Sequence, residues 1–191
     1  MKSIRPDLQI VIHMVPEGAR VLDLGCGDGA LLAQLVEHKR VLGRGVEVDE
    51  AKVRACIARG LSVRHGNIED GLADFPEGMF DVVILSQTLA YLNRPLPVLQ
   101  EMARVGRSAI ISLENAGHWR ARWRALSGGG AGSTLASREP RVRSITLRQF
   151  QEALQALDLK AETQVFLGGH HQVYVWPSLR AGTAVYVISK D

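Results

Sequence analysis

The chain is expected to be an α/β protein with a doubly wound, mostly parallel sheet and an antiparallel hairpin at the sheet edge. Three observations predict this. Apolar runs of strand length alternate with helix-spaced segments through most of the 191 residues. The last third instead carries one helix followed by three strand-like runs. Hydrophobic residues make up 46% and charged residues 23%, so there is apolar material for a core and no compositional case for disorder. Strand and helix alternation implies βαβ crossovers, hence a parallel sheet covered on both faces. The length fits one domain over 1–191.

The elements follow in order. Pro6 to Met14 reads as a short helix with proline in its opening turn, lidding the sheet. Val21 to Leu24 is the first strand. Asp28 to His38 is a helix that Asp28 can cap, with Leu31, Leu32, Leu35 and Val36 on its apolar face. Val41 to Val48 is the second strand, and Asp49 to Arg59 the next helix, with Asp49 as its N-cap and Gly60 as its stop. Strands are expected at Leu61 to Val63, Phe80 to Leu85 and Ser108 to Leu113, with a helix over Pro95 to Val105 between the last two. Gly117 to Leu126 looks helical. Ser127 to Ser137 is a Gly/Ser-rich insertion expected to be flexible. Thr146 and Gln149 have capping-box spacing and open a helix through Leu157. Thr163 to Leu167, Gln172 to Trp176 and Thr183 to Ser189 complete the set as hairpin material at the sheet edge.

Several function classes fall away on composition. No apolar run approaches the ~18 residues of a bilayer helix, because Ser86 and Gln87 interrupt even Val82 to Leu92. The first residues lack the pattern of a secretory signal, and Cys26 and Cys56 cannot make a disulfide framework, so a cytoplasmic protein is expected. Net charge is only +3. From His118 to Arg148, however, seven arginines stand against one acid, Glu139, so this segment carries +6 and the rest of the chain −3. Arginines with aromatics can grip RNA, but no recognised RNA module is present and nucleic acid is disfavoured.

The first strand runs into a glycine-rich turn, Asp23 Leu24 Gly25 Cys26 Gly27 Asp28 Gly29, where absent side chains let a ligand approach the backbone. At the end of the second strand stands Glu47, placed to accept the hydroxyls of an adenosine ribose. A nucleotide-type cofactor is implied. A dinucleotide would bring its phosphates against Asp23 and Asp28, whereas S-adenosylmethionine has no phosphate and carries a sulfonium and an ammonium that those acids favour.

These residues, with Phe80 Asp81 Val82 Val83 Ile84 Leu85, resemble the Rossmann-like class I S-adenosylmethionine-dependent methyltransferase fold over roughly the first two thirds of the chain. A closer resemblance, running nearly end to end, is to the methionine-biosynthesis MetW family. It rests on Pro6 Asp7 Leu8, Asp23 through Gly29, Gly71 to Pro76, Leu85 Ser86 Gln87 Thr88 Leu89, Gly117 His118 Trp119 Arg120 and Pro177 to Ala181. The resemblance implies S-adenosylmethionine or S-adenosylhomocysteine as cofactor. Asp23 would order the loop, Gly25, Cys26 and Gly27 would form it against the methionine part, and Glu47 would hold the ribose. Val48 would pack on adenine, Asn67 and Ile68 meet its edge, and Ser86 lie beside the amino-acid moiety. It also implies a partner, the homoserine O-acyltransferase MetX, whose acyl transfer the chain would support. The sequence departs from the family pattern in three places. Asn67 stands where an aspartate is usual, Glu114 Asn115 Ala116 replaces Pro-Asn-Phe, and Ser127 to Arg141 replaces a Tyr-x-Trp-Tyr stretch.

Independent catalysis lacks an evident base. Methyl transfer needs a nucleophile held ~3 Å from the methyl, often beside a base. His118 and Tyr91 are weak candidates: His118 can equally serve in packing or hydrogen bonding, and for Tyr91 that role is the favoured one. The competing reading is an autonomous methyltransferase acting on a small molecule. His170 and His171 alternate faces on a strand with no acid or cysteine to complete a site, so no metal is expected. Cys26 near a helix start has no partner base and is expected to pack. Trp119 and Trp123 lie one helical turn apart among arginines, including Arg120. They either dock on the sheet beneath or bind a partner, since Trp and Arg are hot-spot residues.

Overall fold

The computed structural model describes residues 5–126 and 143–190. The expected strands form one eight-stranded sheet: β1 (Arg20–Leu24), β2 (Leu42–Glu47), β3 (Ser62–His65), β4 (Phe80–Ser86), β5 (Gly106–Glu114), β6 (Leu159–Gly168), β7 (His171–Gln172) and β8 (Thr183–Lys190). Their order is β3-β2-β1-β4-β5-β8-β6-β7. The first five run parallel, and β8, β6 and β7 pair antiparallel at the edge. The helices are α1 (Pro6–Met14), α2 (Ala30–Lys39), α3 (Glu50–Ala58), α4 (Pro95–Val105), α5 (Trp119–Leu126), α6 (Leu147–Ala156) and the short α7 (Pro177–Arg180).

The unbroken apolar run of β4 follows from burial on both faces. Val83 and Leu85 join the core beneath α4 and α6, with Val98, Met102 and Phe150. Val82 and Ile84 point the other way, into the core beneath α1 and α2 with Val11, Leu31 and Leu35. Each such fully buried side chain contributes ~1.5–3 kcal/mol. Local capping is as expected at two helices. The Asp49 side chain accepts the amides of Ala51 and Lys52, and Thr146 and Gln149 form a reciprocal capping box.

The structure corrects two expectations. α2 is capped by Gly29 in the left-handed conformation, while Asp28 accepts the Ala30 amide from just outside. The run Gln172 to Trp176 is a strand only at Gln172: one further bond, from the Val173 amide to the Phe166 carbonyl, follows, and then Trp176 turns left-handed (φ 52°) and Pro177 opens α7. The antiparallel strands stand at the sheet edge as expected, with β8 between β5 and β6, so β6 pairs with β8 along most of its length and with β7 at two positions. The Ser127 to Ser137 insertion lies outside the described residues, as does most of the arginine-rich segment beyond α5. Among the described residues no helix is long and apolar enough to cross a membrane.

Candidate functional site

Burying a polar group costs free energy unless it finds a partner. Among the described residues the buried polar ones are Asp7, Asp23, Glu47, Ser112 and Asn115, and all stand at or against the carboxyl ends of the parallel strands. That edge is where open α/β sheets bind ligands.

Glu47, the last residue of β2, is held by three backbone amides. One oxygen accepts from Gly27 at 2.8 Å, the other from Val48 at 3.0 Å and Asp49 at 2.9 Å. A carboxylate has about four lone-pair sites, so about one remains for a ligand. The loop after β1 is fastened again where the Gly25 and Cys26 amides donate to the Val46 carbonyl. Gly25 and Gly27 are both left-handed, at φ 70° and 60°. A Cβ on Gly25 would stand 2.8 Å from Thr88 Oγ1, whereas one on Gly27 would meet nothing within 4 Å. Gly25 is therefore glycine for packing, and Gly27 leaves its backbone open to the cavity.

Asp23 is 2% exposed, and no hydrogen bond to its carboxylate exists among the described residues. Burial, with the nearby Glu47 charge, pushes its carboxyl up to about 7, partly offset by the Arg5 cation. Cys26 is buried against Gly45, and burial, with the charge of Asp23, pushes its thiol well above the ordinary cysteine range, which fits a packing residue. Asp28 faces solvent and is paired with Arg59 at 2.9 Å.

Around this loop lies a cavity of about 650 Å³ that includes Gly25, Gly27, Glu47, Val48, Asn67, Ile68 and Tyr91 in its lining. A smaller lobe of about 280 Å³ shares Gly25 and Gly27 and adds Arg5, Asp23, Cys26 and Ser86. All nine expected cofactor positions thus line one of two contiguous lobes. Val48 is 63% exposed there, an apolar side chain left without a partner. Asn67 accepts the Glu69 amide and caps a single 3-10 turn, Ile68–Asp70.

Some lining residues were missed. Arg5 donates to Ser86 Oγ at 2.7 Å and to Gln87 Oε1 at 3.3 Å, which brings a cation to the lobe of Asp23. Asp7 of α1 accepts from Ser112 Oγ at 2.9 Å and from Gln87 Nε2 at 3.3 Å, anchoring that helix over β5. An acid on the buried side of an apolar helix was the available signal. Gln87 (φ 52°) and Thr88 also line the larger cavity.

The two weak base candidates do not come together. Tyr91 stands in the larger cavity, half exposed, on a 3-10 turn after β4. His118 lines a separate cavity of about 760 Å³ at the ends of β5, β8 and β6, with Trp119, Arg120, His171, Tyr174 and Arg180. Its ring is held below the usual histidine range by burial and by Arg120. Trp119 and Trp123 are 49% and 70% exposed, so α5 does not dock its tryptophans on the sheet. No group of three or more metal-ligating side chains occurs among the described residues.

The model of a family described as methionine biosynthesis protein MetW matches residues 5–188. The bifunctional methionine biosynthesis protein MetXA/MetW of Rhodopirellula baltica is 30% identical over 99% of this chain, which covers 33% of that protein. The chain spans 33% to 41% of the length of the curated relatives it matches. Two solved structures share its fold. A possible histamine N-methyltransferase, S-adenosylmethionine-dependent, from Thermotoga maritima aligns with TM-score 0.72 and 18% identity over 97% of this chain and 88% of that one. A putative S-adenosylmethionine-dependent methyltransferase from Listeria monocytogenes aligns with TM-score 0.74 and 16% identity over 97% of each chain. The fold is the Rossmann-like class I methyltransferase fold.

Proposed function

The chain belongs to the MetW family of methionine biosynthesis proteins, and from that membership we propose that it acts as the partner of a homoserine O-acyltransferase of the MetX type, binding S-adenosylmethionine in the cavity beside Gly27. One observation carries the partnership: in the Rhodopirellula baltica relative a single polypeptide bears both names, MetXA and MetW. Fusion holds two modules at high effective concentration. Where the two modules are on separate chains, docking has to supply that proximity.

The residues at the cavity fit the cofactor. Asp23, buried and without a hydrogen bond among the described residues, suits the positive charge of the amino-acid end. The remaining acceptor site of Glu47 suits a ribose hydroxyl, exposed Val48 an adenine face, and Asn67 with Ile68 its edge. Ser86 and the loop of Gly25, Cys26 and Gly27 border the methionine end. Bound there, S-adenosylmethionine supplies an electrophilic methyl group. Of the two base candidates, Tyr91 lines that cavity and His118 another. That separation favours a binding role. The fold and the exposed Tyr91 support the second reading, an autonomous methyltransferase acting on a small molecule.

The deciding experiment measures homoserine acylation by the same organism's acyltransferase with and without this protein, together with co-elution on a sizing column. Co-elution and a raised rate are expected. No association and no rate change would leave the autonomous methyltransferase, to be sought as S-adenosylhomocysteine production that falls in Tyr91→Phe.

A further inference from the structure

The cavity that holds His118 has no place in cofactor binding, yet it is built. Its walls come from three segments, the turn before α5, the Gly168–Gly169 end of the β6–β7 hairpin, and α7. Asn115, 4% exposed, fastens two of them, with its amide donating to the carbonyls of Ser178 (3.0 Å) and Ala181 (2.8 Å) and its side-chain oxygen accepting from Gly117 (2.8 Å). Gly182 joins the third, accepting from the Asn115 amide and donating to the Leu167 carbonyl, each at 2.8 Å. A cleft pinned in this way is formed before any partner arrives.

Its surface is unusual in two respects. Among the described residues, His118, Arg120, His171 and Arg180 line it and no acid does. The Arg120 guanidinium lies 5.2 Å from the Trp119 ring centre, so a cation is stacked on an indole at the rim. Large apolar side chains also stand in solvent around the same cleft: Trp119 (49%), Tyr174 (83%), Val175 (59%) and Trp176 (73%), with Trp123 (70%) one turn further along α5. Trp176 is left-handed, a strained conformation for a bulky residue, and core packing does not explain it because its indole is outside the core. The apolar side chains continue past the cavity, further than a small ligand reaches, which points to a protein.

We infer that this cleft is the docking surface for the acyltransferase, and that it takes an acidic segment of that partner, with carboxylates meeting Arg120 and Arg180 and an apolar side chain seated among Trp119, Tyr174 and Val175. The inference rests on the partner reading above and adds the face and the chemistry that the partner must offer. The argument for this occupant is charge: a lining with two guanidinium groups, Arg120 and Arg180, and no acid among the described residues attracts carboxylates and repels basic surfaces.

The test is association of the full chain with the same organism's acyltransferase, measured by co-elution and titration at two salt concentrations. In parallel, S-adenosylhomocysteine affinity is followed as a report on the other cavity. Arg120→Glu with Arg180→Glu is expected to weaken association at least about 30-fold and to leave S-adenosylhomocysteine affinity within about twofold. Trp119→Ser with Tyr174→Ser, at exposed positions, is expected to do the same without changing the melting temperature. Arg54→Glu on α3 should have no effect. Undiminished association in both double variants would overturn the inference and leave the partner reading standing. Absence of association in the unmodified chain would remove both. Variants that lose binding to poly(U) RNA while holding the acyltransferase would assign the cleft to nucleic acid and overturn it equally.

Discussion

Glu47 receives the amide of Gly27 at 2.8 Å, so the end of β2 clamps the loop that follows β1. With the amides of Val48 and Asp49 on its other oxygen, one carboxylate sets both the loop and the start of α3. Hydrogen bonds to a charged group are worth about 1.5–3 kcal/mol each, more than neutral ones. Glu47→Ala is therefore expected to lower stability by about 3 kcal/mol and to abolish S-adenosylhomocysteine binding. Glu47→Gln keeps some acceptors and should lose about half as much. Denaturant melts with calorimetric titration check this, and an unchanged midpoint in Glu47→Ala would contradict it.

Asp23 sets a pH dependence. Its carboxyl, near 4 in an unfolded chain, stands at about 7 in the fold because burial and Glu47 disfavour the charge. Between those values the folded state keeps a proton that the unfolded state has released, so stability contributed by this group falls as pH rises. The fall amounts to about 4 kcal/mol by pH 7 and is constant above it. Asp23→Asn should flatten the difference in unfolding free energy between pH 4 and 7. Ligand affinity should move oppositely in the native chain, tightening from pH 6 to 8 as Asp23 ionises beside a cationic group. A pH-independent affinity would rule the contact out.

The two loop glycines should respond differently to alanine. Both are left-handed, which costs an L-residue about 1–2 kcal/mol. Gly25→Ala adds a clash, its Cβ 2.8 Å from Thr88 Oγ1, and is expected to lose both stability and binding. Gly27→Ala meets open space, so the melt should move only by the backbone strain while S-adenosylhomocysteine affinity drops at least tenfold. Equal melting shifts in the two variants would be the contrary result.

Acid stability should depend on Asp81. It accepts from the Arg20 side chain at 2.9 Å and from the Arg20 amide at 2.9 Å, joining β4 to the start of β1. Hydrogen bonds from the Arg20 side chain and amide hold its carboxyl down to about 2. A depressed value stabilises above the unfolded value near 4, and that contribution disappears as pH falls from 4 to 2. The pair is partly open to solvent, with 31% of the Asp81 side chain exposed, so the contribution is discounted to about 1 kcal/mol. Asp81→Asn should unfold more easily at pH 7 and no more easily than the parent at pH 2.

Much of the fold was legible because its signals are local. The alternation of apolar runs and helices, the Asp49 cap and the Thr146–Gln149 box each depend on residues a few positions apart, and each is present. The glycine loop with Glu47 was legible too, since the loop and the acid close a contact across adjacent strands. Arg5, Gln87 and Asn115 were not, because the distant partners that place them lie 63 to 82 residues away. Nothing in the spacing of His118 and Tyr91 says that they open into different cavities.

Composition and periodicity were enough to specify strands, helices and the glycine-rich loop between β1 and α2, since backbone preference and burial act over one turn or one strand. Placing β8 between β5 and β6, turning Trp176 out of the sheet and assembling a basic cleft beside a separate acidic pocket depended on pairings between distant segments. Such pairings are selected by how whole faces pack, which no short window of residues contains.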